Sequence, residues 1–169
     1  MNDYNIEVIR ERYSLVPRTL VFIRRGDKYL LIHKKKKNSY GFGKMNGVGG
    51  HIEKGEEPFS SARREVLEET GLSINRLDLC AILFIDIGET PGIEVFVFRA
   101  ENEGGQINQS DEGVLEWKSL DELRSSEHVL DDVPMLIDLC LNHEAGKMPQ
   151  IVKYSYDDKR QLRIDNIKT

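Results

Sequence analysis

The stretch from Gly50 to Leu72 constrains this chain more than any other. Pro58–Thr70 is predicted to be a helix: Pro58 suits the first helical position, where a missing N–H costs nothing, and Gly71 suits the position just past the end. On that helix Glu65, Glu68 and Glu69 stand at i, i+3 and i+4, which puts three carboxylates on one face. Phe59, Ala62 and Val66 form an adjacent apolar stripe that must bury itself against a sheet. The like charges repel, and Arg64, four residues before Glu68, relieves only part of this. The face is costly unless a cation sits among the carboxylates, and all-oxygen ligation suits Mg²⁺, or Mn²⁺, over softer metals. Taken alone, the three glutamates read first as a solvated acidic face.

The flanking segments supply the sheet. Arg18–Arg25 and Lys28–His33 are β-rich runs around Gly26-Asp27, a hairpin signature. Residues 34–46 are polar and Gly-containing, a predicted loop, and Gly47–Gly55 is a loop or a tightly turned strand. Leu79–Ile87, Ile93–Ala100 and Val114–Lys118 read as strands, with a polar loop over 101–113. Ser119-Leu120-Asp121-Glu122-Leu123 opens like a capped helix, and Val133–Asn142 reads as another. Ile151–Tyr156 and Gln161–Ile167 flank Asp157–Arg160 as a closing hairpin. Strands mixed with two or three helices indicate a layered α/β domain. The 169 residues suit one domain, here taken as 17–169 behind an N-terminal extension of residues 1–16.

Charge is distributed unevenly. Residues 1–49 carry 11 Lys and Arg against 4 Asp and Glu, a surplus of +7. Residues 50–72 carry −3 and residues 73–169 carry −9, so the chain totals −5. Such a gradient marks a site for a charged ligand. The acidic total argues against a nucleic-acid polymer as partner. No apolar run is long enough to span a bilayer, and Met1–Arg12 is charged throughout without an apolar core. A cytoplasmic protein with no membrane partner is expected. Cys80 and Cys140 form no CxxC or metal-ligand spacing and are expected to be reduced, semi-buried thiols.

The spacing within the glutamate stretch is more specific than its charge. It runs Gly50, five residues, Glu56, seven residues, Arg64-Glu65-Val66, one residue, Glu68-Glu69, one residue, Gly71-Leu72. Seven positions require one residue each, and at usage near 7% a chance match is on the order of one in a million. This pattern matches the Nudix box at every defined position, and the chain resembles the Nudix hydrolases. The resemblance implies an α/β/α sandwich with a mixed central β-sheet, and hydrolysis of a nucleoside diphosphate linked to a further group. It implies metal binding by the Gly49 carbonyl, Glu65, Glu68 and Glu69, with Glu68 and Glu69 catalytic. Glu56 and Arg64, with Gly50 and Gly71, would brace the loop and helix. Metal ions at such a site neutralise a polyphosphate and activate water for attack at phosphorus. A further carboxylate is expected from the loop holding Asp111-Glu112, where Glu112 is the candidate ligand or general base.

The resemblance extends from about Arg18 to Ile167 and is closest to the MutT-type branch, which hydrolyses oxidised purine nucleoside triphosphates such as 8-oxo-dGTP. Thr19-Leu20-Val21 matches its opening strand, Lys34 a lysine after the second strand, Asn46-Gly47 and Gly49-Gly50 the loop entering the box, and Ser110-Asp111-Glu112 the acidic loop. Asp131-Asp132 matches a paired aspartate that reads the purine. Thr19, Lys34, Asn46, Asp131 and Asp132 are therefore the substrate-binding candidates. Asn46 offers a donor and an acceptor, and adjacent carboxylates favour retaining one proton, so the pair offers both as well. A helix cap is the structural alternative for Asp131-Asp132. Two positions depart from the branch: Val129 replaces a tryptophan and Met45 is not aromatic, so a stacking platform is absent there. Lys34–Lys37 either attracts a polyphosphate or is a solvated run, Trp117 is read as a core residue, and His51 is given no role. Another nucleoside diphosphate derivative (dinucleoside polyphosphate, ADP-ribose, nucleotide sugar) is the alternative substrate, and a non-catalytic nucleotide sensor the alternative class. The sequence leaves the oligomeric state open.

Overall fold

The structure, a computed structural model, describes residues 12–35, 41–102, 104–108, 113–157 and 162–167. Glu112 and its neighbours Ser110 and Asp111, with Lys36 and Lys37, lie outside the described residues. The strands are β1 (Leu15–Arg25), β2 (Lys28–Lys34), β3 (Met45–Asn46), β4 (Asp78–Ile85), β5 (Gly92–Glu101), β6 (Gly113–Ser119), β7 (Gln150–Tyr156) and β8 (Leu162–Ile167). The helices are α1 (Pro58–Thr70), α2 (Leu120–Arg124) and α3 (Val133–Asn142).

The sheet runs β3-β2-β1-β5-β4-β7-β8, with β6 paired along β2. It is mixed: β1 and β5 are parallel, as are β4 and β7, while the remaining pairs are antiparallel. The apolar run Leu20-Val21-Phe22-Ile23 explains the layering. Leu20 and Phe22 enter one core with Leu136, Ile137 and Cys140 of α3. Val21 and Ile23 enter the other with Ala62 and Val66 of α1. A strand buried on both faces reads as continuous rather than alternating hydrophobicity. Helices on both faces of a mixed sheet give the α/β/α sandwich.

The β1–β2 hairpin turns at Gly26-Asp27 with Arg25 opposite Lys28, and Gly26 takes φ +63° as such a turn requires. The extension boundary needs correction. Leu15 and Val16 belong to β1, because they continue its parallel ladder against Gly92 and Ile93. The segment expected as loop over 34–46 also yields β3, whose Met45 and Asn46 pair with His33 and Ile32. Cys80 and Cys140 are fully buried rather than semi-buried. They lie in the same core between β4 and α3, where the Cys80 thiol donates to the Asp78 carbonyl at 3.3 Å. Among the described residues no helix is long and apolar enough to cross a membrane.

Candidate functional site

Helix α1 is held at both ends as the sequence requires. Glu57 caps its N-terminus, accepting from the amides of Phe59 and Ser60 at 2.7 and 2.6 Å. Gly71 closes its C-terminus at φ +74°, and its N–H donates to the Leu67 carbonyl. Ala62 and Val66 are fully buried, while Phe59 meets the Phe98 ring edge-to-face at 4.9 Å. This seating directs the glutamates toward the Gly47–His51 loop.

Arg64 organises the first group of carboxylates. Its guanidinium donates to Glu56 at 2.7 and 2.8 Å, to Glu65 Oε1 at 2.9 Å and to Glu68 Oε2 at 3.1 Å. It also donates to the His51 carbonyl at 3.0 Å, tying the loop to the helix through backbone rather than the histidine ring. Arg64 thus relieves more of the repulsion than the i, i+4 spacing alone suggested. Its bonds hold the Glu56 carboxyl down to about 2, and the carboxylates in turn raise the Arg64 pKa. The Glu65 carboxylate lies against Gly50, where a Cβ would stand 2.5 Å from Oε1.

Glu69 faces the other way. Its side chain is 4% exposed; Oε1 accepts from Lys34 Nζ at 3.0 Å and Oε2 from the Gly49 N–H at 2.9 Å. Burial raises its pKa, against the opposing pull of Lys34. Gly49 sits at φ +145°, and any Cβ there would overlap the Thr19 carbonyl oxygen. A neighbouring bond from the Thr19 amide to the Gly50 carbonyl, 2.9 Å, stitches this loop to β1.

The donor chemistry fits a hard divalent cation. A single cationic nitrogen, Arg64 Nη1, already stands between Glu65 Oε1 and Glu68 Oε2, so the two oxygens converge on one positive centre. No set of three or more His, Cys, Asp or Glu closes into a metal cluster among the described residues. Glu69 is turned to Lys34 and Gly49, and Glu68 is 59% exposed.

Beside this region opens a cleft of about 160 Å³. Its polar lining comes from Arg18, Thr19, Lys34, Asn46 and Asp132, with the Gly47 and Gly49 backbone; its apolar wall includes Leu83, Ile85, Ile93, Val95 and Leu136. Arg18 and Lys34 come from the basic N-terminal segment. Thr19, Lys34, Asn46 and Asp132, four of the sequence-derived substrate residues, thus line one cleft. Thr19 is 3% exposed, and its hydroxyl is a buried polar group with no hydrogen-bond partner among the described residues. Such a group ordinarily marks a position that a ligand or solvent completes.

Asp131 is not brought into the cleft. Its side chain is 95% exposed and pairs with Lys44 at 3.7 Å, because the chain turning into α3 points consecutive side chains in different directions. Asp132 occupies the N-cap position of α3 without making a side-chain cap bond. Its Oδ2 instead accepts from the Tyr154 hydroxyl at 3.1 Å, and burial raises its pKa. The Asn46 Oδ1 accepts from the Gly47 N–H at 2.8 Å. Met45 and Val129, the two departures, are buried in the α3-side core and bridge one another outside the cleft lining. The aromatic surface comes from Tyr154 and Tyr156 of β7. Sequence reasoning missed both, although their i, i+2 spacing on a strand places them on one face. Trp117 lies against the α1-side core with the Arg25 guanidinium 4.4 Å from its ring centre, away from the cleft lining.

A glycine loop anchored to a glutamate helix, beside a cleft with an orphaned hydroxyl and a buried carboxyl, defines a nucleotide-hydrolase type of site on an α/β/α scaffold. The NUDIX domain model matches residues 15–139, and the chain belongs to that family. A zebrafish (Danio rerio) protein named oxidized purine nucleoside triphosphate hydrolase is 40% identical over 116 residues, covering 68% of this chain and 73% of that protein. The mouse (Mus musculus) protein of the same name is 31% identical over 144 residues, covering 81% and 91%. Among solved structures, the mutator MutT protein from Bacillus halodurans superposes with a TM-score of 0.71 at 26% identity, over 89% of this chain and 98% of that one.

Proposed function

We propose that this protein is a divalent-metal-dependent pyrophosphohydrolase that cleaves oxidised purine nucleoside triphosphates, such as 8-oxo-dGTP, to the monophosphate and pyrophosphate, clearing damaged precursors from the nucleotide pool. The observation that carries this reading is the Thr19 hydroxyl, buried without a partner among the described residues in a cleft that also holds Asn46 and Asp132 and ends at Gly49 and Lys34. The names of the zebrafish and mouse relatives favour an oxidised purine as the substrate.

The roles follow from chemistry. Glu65, Glu68 and Glu69, with the Gly49 carbonyl, would hold Mg²⁺, or Mn²⁺, and Glu112 is proposed to join them from the acidic loop. When bound, the metal supplies charge neutralisation of the polyphosphate and an acidified water. Arg64 holds the Glu65 and Glu68 carboxylates through its hydrogen bonds, and Glu56 keeps Arg64 in place. Lys34 and Arg18 present positive charge to the phosphates at the cleft end. Thr19, Asn46 and Asp132 address the nucleoside, with Tyr154 and Tyr156 supplying aromatic surface.

The test is a nucleotide panel with Mg²⁺ that resolves pyrophosphate from orthophosphate. Pyrophosphate release with 8-oxo-dGTP preferred over dGTP and ADP-ribose supports the reading. Orthophosphate as the sole phosphate product, or preference for ADP-ribose, overturns it.

A further inference from the structure

Two polar side chains of the cleft lining are each engaged by a donor of the protein itself. The Tyr154 hydroxyl donates to Asp132 Oδ2, and the Gly47 N–H donates to Asn46 Oδ1. Tyr154 is 2% exposed on β7, and its neighbour Val152 is fully buried, so the ring is fixed by the core below it. The α3 N-terminus makes no claim on Asp132, whose side chain forms no cap bond. Asp132 is therefore oriented by Tyr154 rather than by its own helix.

Resting on the purine reading above, we infer that Tyr154 is a positioning residue for base selectivity: by holding Asp132 Oδ2, it leaves Oδ1 as an acceptor in the cleft that also holds the Asn46 Nδ2 donor, a combination that favours 6-keto over 6-amino purines. The chemistry of the two edges supplies the reason. A keto purine offers the O6 acceptor next to the N1–H donor, which match a protein donor and a protein acceptor. An amino purine in the same seat offers the N6 donor next to the N1 acceptor, which sets donor against donor and acceptor against acceptor. A carboxyl with no phenol on it takes up a proton more readily in a buried site and becomes a donor, which removes the mismatch. A phenol proton donated to the carboxyl opposes that change because it stabilises the ionised form. Sites that hydrogen-bond a substrate group discriminate strongly against analogues that leave the partner unpaired.

The test uses dITP and dATP, which differ at the purine 6-position, on the full-length enzyme with Mg²⁺. The wild type is expected to favour dITP in kcat/KM by about tenfold or more. Tyr154→Phe removes only the hydroxyl and should lower that ratio by about tenfold, mainly through KM. Asp132→Asn, which presents an amide donor beside the Tyr154-bound oxygen, should lower the ratio in the same direction and carries the test if Tyr154→Phe fails to fold. An unchanged ratio in a folded variant, or an equal fall in kcat for both nucleotides, overturns the inference. Failure of the wild type to turn over any purine triphosphate overturns the functional reading instead, so the two failures are distinct.

Discussion

Lys34 Nζ lies 3.0 Å from Glu69 Oε1, and both side chains are nearly closed to solvent. The pair joins the end of β2 to the last turn of α1, at the place where the cleft meets the glutamate helix. Residues that the sequence assigned to separate tasks, substrate binding and metal binding, neutralise each other in the protein alone. Phosphate oxygens and a cation arriving together would each replace one half of the pair.

Lys34→Met is the direct probe. It leaves Glu69 buried with the Gly49 N–H still donating to it, and breaking a buried pair from one side costs about 3 kcal/mol. The sign of the pH dependence follows from the raised Glu69 pKa. A carboxyl raised in the folded state stabilises the fold below its unfolded pKa, and that contribution is lost as pH rises through the folded value. The variant, raised further, should therefore match wild type most nearly near pH 4.5 and fall furthest behind near pH 8. Urea unfolding in EDTA measures this, and a deficit independent of pH would point to lost packing of the lysine stem.

Glu68→Gln separates chemistry from fold. Glu68 is mostly exposed and touches Arg64 alone in the described bonding, so the substitution should shift unfolding free energy by no more than about 0.5 kcal/mol. Metal-dependent kcat should fall at least about 100-fold, which corresponds to roughly 2.7 kcal/mol of barrier. Steady-state kinetics beside a thermal melt would check both halves, and near-normal turnover would remove Glu68 from the metal site.

Glu56 reports on the brace. Its carboxyl is held down to about 2, first by the hydrogen bond from Arg64. A depressed carboxylate stabilises the fold above its unfolded pKa, and the contribution is lost as pH falls toward the folded value. Glu56→Gln should lower Tm at pH 7, with the difference from wild type closing between about pH 4.5 and pH 2. Melting curves across that interval decide the matter, since a difference persisting at pH 2 would belong to shape rather than charge.

Much of this site was legible because its signals are local. The start at Pro58, the stop at Gly71 and the glutamate spacing are all set within one helix, and the β1–β2 hairpin within one turn. The cleft was legible on its polar side, where Thr19, Lys34, Asn46 and Asp132 meet. It was opaque where distant strands converge. Tyr154 and Tyr156 come from a strand in the parallel β4–β7 pair, and nothing local in the chain indicates that they line the same cleft as Asp132. Asp131 shows the converse limit: sequence adjacency to Asp132 did not mean a shared direction. The cysteines, 60 positions apart in number, became neighbours through the same long-range packing of α3 on β4.

The adjacent glycines of the loop should respond differently to a single methyl group. At Gly50 the backbone is not left-handed, and the added Cβ would meet a side chain, Glu65 Oε1 at 2.5 Å. That carboxylate can move, but only by changing its 2.9 Å bond to Arg64. Gly50→Ala should therefore fold, with the Mg²⁺ concentration for half-maximal activity raised about tenfold or more, about 1.4 kcal/mol in cation affinity. At Gly49 the Cβ would meet backbone, the Thr19 carbonyl, at φ +145°, and no side-chain rotation relieves it. Gly49→Ala should cost stability, about 1–3 kcal/mol in denaturant unfolding, even in EDTA. Activity titrations with Mg²⁺ on both variants, set beside unfolding without metal, discriminate the two. An Mg²⁺ requirement unchanged in Gly50→Ala would mean that Glu65 does not contact the cation.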